Sequence, residues 1–163
     1  MKSFASPRVR HVLAALAVTS IASGVANAGS SVPFNATIAV QENLIGMNAP
    51  ECTLISDVSG TGTASHLGKV TLHATDCINP VGATTLKFVS NTPVVLTAAN
   101  GDQVRATYSG FVSIEGASEL ITGAFVITGG TGRFAQATGA GTLQGVEDAT
   151  GQGQIELTGT ISY

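Results

Sequence analysis

The stretch "ITGGTGRFAQATGAGTLQG", residues 127–145, carries six glycines, four threonines and a single charge, Arg133. Upstream lies "ELITGAFVIT" (119–128), whose apolar residues suit a strand. Gly129-Gly130-Thr131-Gly132 ends that strand abruptly, because glycine alone takes the backbone conformations of a very tight turn without steric cost. Gly139-Ala140-Gly141 starts the next strand. The segment reads as a strand, a glycine turn, one short helical or irregular turn over Arg133 to Ala137, and a returning strand. In this reading Phe134 plugs one end of a barrel, and Arg133 lies along the rim, donating to carbonyls that the turn leaves free. A phosphate cradle is the rival meaning of "GGTG". It needs a following helix N-terminus or a GK[ST] triplet, and "RFAQATGAG" supplies neither.

The rest of the chain alternates with a period of two, the mark of half-buried strands. In "FNATIAVQ", Phe34, Ala36, Ile38 and Val40 share one face. In "KVTLHATD", Val70, Leu72 and Ala74 oppose Lys69, Thr71, His73 and Thr75. In "QIELTGTISY", Ile155, Leu157 and Ile161 oppose Glu156, Thr158 and Thr160. Asn79-Pro80-Val81-Gly82, Asn91-Thr92-Pro93 and Gly116-Ala117-Ser118 are expected to separate strands. Asn100-Gly101 predicts a hairpin with a type I′ turn. About eight strands joined by short connections predict an all-β, antiparallel fold. Closure into a barrel removes the open edges that such a sheet would otherwise expose.

The N-terminus carries a different signal. Lys2, Arg8 and Arg10 precede an apolar run over 12–25, and Ala26-Asn27-Ala28 matches a signal-peptidase site. The expected organisation is a signal peptide at 1–28 and a single β-barrel domain at 29–163, hence a secreted or periplasmic protein with no membrane span after cleavage. The remaining chain keeps Lys69, Lys87, Arg105 and Arg133 against ten acids, a net charge of −6. Such a surface repels nucleic acid. Cys52 and Cys77, in an exported chain, are expected to form a disulfide. Closing that loop of about 25 residues stabilises by roughly 3.5 kcal/mol in the chain-entropy model.

"GGTGRFAQATGAGTL" resembles the GGTG-[KR]-F-x-x-A-x-G element of allene oxide cyclase and dirigent barrel proteins, matching from Gly129 to Gly139. The similarity is to small secreted bacterial proteins with such a calycin-like domain, in which Ser65-His66-Leu67-Gly68 and the C-terminal "GTISY" are also familiar. The resemblance implies an eight-stranded antiparallel barrel. It does not carry the activity over. The cyclases hold a carboxylate and a water through a Glu-x-Asn and Ser-Pro constellation, whereas here Asn35, Gln41 and Glu42 stand in other arrangements.

No catalytic constellation is legible. GxSxG is absent, Glu51 and Asp57 are not visibly paired, and Glu147-Asp148 reads as a solvated turn. His66 and His73 do not combine into a metal site, and no metal or other cofactor is expected. His66, Arg133 and Phe134 are the candidate ligand-binding residues. The favoured expectation is a module binding a small hydrophobic ligand, because Ala and Gly replace bulky groups in several strands. An enzyme of cyclase or dirigent type and a pilin-like structural subunit are the alternatives. Self-association is compatible with each.

Overall fold

The computed structural model describes residues 29–49 and 51–163; the expected signal segment 1–28 lies outside them. Eight strands follow one another: β1 (Val32–Ala49), β2 (Cys52–Ala64), β3 (Gly68–Pro80), β4 (Thr85–Ala98), β5 (Gln103–Glu115), β6 (Ser118–Gly130), β7 (Thr138–Asp148) and β8 (Gln152–Ser162). Each pairs antiparallel with the next, and β8 pairs with β1 from Val32↔Ile161 to Gln41↔Gln152, so the sheet closes into a barrel. Closure leaves no free edge among the described strands, and a donor-strand pilin would need one.

Alternation decides what each strand buries. Phe34, Ala36, Ile38 and Val40 of β1 point inward with Val70, Leu72 and Ala74 of β3. Together with Val104, Phe125, Ile127, Phe134 and Ile161 they form a large apolar cluster at one end. A smaller cluster, Ile78, Phe88, Val112, Ile121 and Leu143, occupies the other. At Gly110 of β5 a Cβ would lie 2.7 Å from a Phe88 ring carbon, so glycine there leaves room for that ring.

The glycine-rich segment closes the first end. Gly132 sits at φ +55°, and Gly132–Phe134 form a single 3₁₀ turn. Thr131 is pinned to β5, its N–H donating to the Gln103 carbonyl and its hydroxyl accepting from the Gln103 N–H, each at 2.9 Å. This drops Phe134 into the barrel, where it is fully buried against Tyr163, with ring centroids 4.8 Å apart.

Two turns differ from the sequence expectation. Asn91-Thr92-Pro93 does not separate strands; it is a bulge inside β4, where pairing with β5 jumps from Val89↔Ser109 to Val94↔Ala106. The exposed Pro93 lacks a donor, and a bulge is where a strand tolerates that. The Asn100-Gly101 hairpin forms, but through a longer loop over 99–102. Only Gly101 has positive φ, and Asn100 uses its side-chain oxygen to accept from the Asp102 N–H at 3.1 Å. A type I′ turn would need both residues left-handed.

Cys52 and Cys77 form the expected disulfide, linking β2 to β3. Replacing both by alanine is expected to lower unfolding free energy by about 3.5 kcal/mol. Equilibrium urea unfolding of the variant checks this; a loss below about 1 kcal/mol would mean that the ladder alone holds the two strands together.

Candidate functional site

The barrel encloses a cavity of about 80 Å³ between its two apolar clusters. Most of the wall is hydrocarbon: Leu72, Leu96, Val112, Phe125, Ile155 and Leu157 among others. A space of that size admits several waters or part of a small organic molecule. One end is sealed by Phe134. At the opposite end the strands are joined by hairpin turns alone, with no element lying across it among the described residues.

Polar side chains interrupt the wall on four strands. Glu42 on β1, Asp76 on β3, Tyr108 on β5 and Glu147 on β7 all line the cavity. Ser56 on β2 pairs directly with Asp76 in the ladder and so shares its inward face. Its hydroxyl is buried without a hydrogen-bond partner. The belt is placed by strand parity: Asp76 continues Val70, Leu72, Ala74, and Glu147 continues Leu143 and Gly145. The β4 bulge frees one register position, and there the Tyr108 N–H donates to Ser90 Oγ at 3.1 Å. Tyr108 then reaches past β4, and its phenol donates to Asp76 Oδ1. Bulges commonly redirect side chains in this way.

Burial dominates the electrostatics. It pushes the Asp76 carboxyl up to about 7; the Tyr108 hydrogen bond opposes this, and the Glu42 charge adds to it. Burial and then the neighbouring Glu42 carboxyl push Glu147 up to about 8. Tyr108 is held above its usual range by burial first and Asp76 second. Glu119, opposite Glu147 in the ladder, is raised by burial and by Glu42. A carboxyl that titrates near neutrality inside an apolar chamber can donate or accept a proton at pH 7.

The residues singled out in the sequence lie elsewhere. His66, Arg133 and Phe134 gather at the sealed end and do not line the cavity. His66, at φ +67°, donates through Nε2 to the Pro33 carbonyl at 2.9 Å. Arg133 donates to the His66 carbonyl, with its guanidinium 4.8 Å from the Phe134 ring centroid. This is the rim role expected of Arg133, and the three residues form a lock on the plug. His73 faces outward and meets Asp57 at 2.9 Å. Glu147 is not solvated: it is 5% exposed, while Asp148 alone holds the turn, accepting from the Thr150 N–H and hydroxyl. Reading the alternation of β7 one position further would have turned Glu147 inward.

No family model matches the chain, and no curated protein matches it. Among solved structures, the chain is similar to the pterocarpan synthase dirigent protein GePTS1, with a TM-score of 0.57 at 12% identity, over 83% of this chain and 87% of that one. At that identity the likeness establishes a shared dirigent-like barrel fold and nothing about the site.

Proposed function

We propose that the barrel binds one small, mainly hydrophobic molecule in its lumen, entering at the end opposite Phe134 and presenting its polar group to the belt of Glu42, Asp76, Tyr108 and Glu147. The supporting observation is the belt itself. Buried carboxyls oppose folding unless they are paired or protonated, so a barrel selected for stability alone would fill these positions with hydrocarbon. The disulfide fits an oxidising compartment, and the reading assigns the protein to the periplasm or the medium.

Ala106 lines the cavity, and replacing it by leucine fills the space without adding a polar atom. Ala106→Leu is expected to keep the fold, with a Tm equal to or above that of the native protein, and to lose binding of phenethyl alcohol measured by titration calorimetry. Undiminished binding by a folded variant would refute lumen binding.

A second reading is favoured by two acids that exchange protons near neutrality beside a phenol: an enzyme of dirigent or cyclase type that guides a reactive intermediate. The fold shared with a pterocarpan synthase dirigent protein is in keeping with it. Under this reading Asp76→Asn abolishes turnover while retaining ligand binding; equal loss of both leaves only the binding module.

A further inference from the structure

Resting on the lumen-binding reading, we propose that the natural occupant is a small apolar amine whose ammonium group is drawn to the acid belt of Glu42, Asp76 and Glu147, with the Ser56 hydroxyl as an acceptor beside Asp76.

Three observations converge. First, the residues lining the cavity include three carboxyl groups and a phenol but no lysine, arginine or histidine. Element by element, the inward polar groups are Glu42 (β1), Ser56 (β2), Asp76 (β3), Tyr108 (β5), Glu119 (β6) and Glu147 (β7), while β4 offers the Ser90 hydroxyl and β8 offers Ile155 and Leu157. An anionic ligand would therefore be repelled, and a neutral one would bring no charge to offset those carboxyls that ionise. Second, Ser56 is 1% exposed, faces inward beside Asp76, and its oxygen has no partner. Buried hydroxyls in folded proteins are nearly always bonded, so this one, beside the cavity-lining Asp76, has capacity for a further partner and can accept from an N–H. Third, an ammonium offers three N–H donors and accepts nothing, which matches a ring of acceptors. The chamber walls are hydrocarbon, which suits an organic cation better than a hydrated ion.

Such a ligand would exchange its charge for the protons on the acids. Burial holds Asp76 near 7 and Glu147 near 8, so around neutrality both are partly protonated. Binding an ammonium lowers both and expels protons. Affinity therefore rises with pH across the window from about 6 to about 9, within which a simple alkylamine, like lysine, stays charged.

The test compares three probes on one carbon skeleton, phenethylamine, phenethyl alcohol and phenylacetate, titrated calorimetrically into the disulfide-bonded protein at about pH 7.5 in two buffers of different ionisation enthalpy, with and without EDTA. The amine is expected to bind about tenfold or more tightly than the alcohol, and the alcohol more tightly than phenylacetate. The amine alone should release protons, and EDTA should change nothing. Glu147→Gln should weaken the amine about tenfold more than the alcohol, and Ser56→Ala should weaken the amine several-fold. Equal affinities for amine and alcohol, or binding without proton release, would overturn the amine assignment and leave the lumen reading standing. Binding that EDTA abolishes would make the occupant a metal and overturn it too. If none of the three binds, both readings fall together.

Discussion

The double variant Asp76→Asn, Glu147→Gln is expected to be more stable than the native barrel at about pH 9, by several kcal/mol, and to lose most of the native protein's dependence on pH between about 4 and 8. Both acids have folded-state values above their ordinary ones, about 7 against 3.8 for Asp76 and about 8 against 4.5 for Glu147. In the window between the two values the folded chain binds more protons than the unfolded chain, so stability falls as pH rises. Below the ordinary values there is no difference, and above the raised values the full penalty is present. The native barrel should therefore resist denaturant best in mild acid, the reverse of a protein stabilised by surface ion pairs. The amides keep the shape of the carboxyls and remove the charge, and the new side-chain carbonyl on β3 would still accept from the Tyr108 phenol. Denaturant midpoints measured across that pH range, by circular dichroism, decide the matter. A native profile that is flat or rises toward pH 8 would mean that water reaches the belt freely and that its acids are ordinary.

The second large effect lies at the opposite end. Phe134→Ala is expected to cost about 3–5 kcal/mol, the usual range for removing a fully buried phenyl group. The side chain is 0% exposed and belongs to the larger apolar cluster. Its loss also strips Tyr163 of its ring partner and Arg133 of the face it covers. Urea unfolding should show the loss with little change in far-ultraviolet circular dichroism below the transition, since the ladder pairs do not depend on the plug. A cost under about 1 kcal/mol would show that the glycine-rich turn is a surface loop with no closing role.

The sealed end is legible in the sequence because its logic is local. Six glycines, one arginine and one phenylalanine within a short span prescribe a turn, a rim contact and a plug. The strands are equally plain, since period-two alternation needs no knowledge of partners. The acid belt is harder to see for two physical reasons. An acid after an apolar run looks like the solvated end of a strand, and Asp76 and Glu147 both follow such runs; only strict parity marks them as inward. Their assembly also depends on closure. Glu42 and Glu147 stand far apart in sequence and meet because the β1–β8 seam brings Gly151 onto Glu42, whose N–H donates to the Gly151 carbonyl at 2.8 Å. Tyr108 depends on the β4 bulge, which composition announces only as a break at Pro93. His66, Arg133 and Phe134 stand out as distinctive residues, yet their partners are one another and the neighbouring backbone.

On this proposal the acid belt of a hydrocarbon chamber exists to meet a guest. The most direct measurement is a crystal structure of the protein purified from its own host without added ligand, inspected inside the lumen. Continuous density for a small apolar molecule, with its polar end against Asp76 and Glu147, is the predicted result. Side chains collapsed across the cavity, or ordered water alone filling it from Phe125 to Glu147, would contradict it.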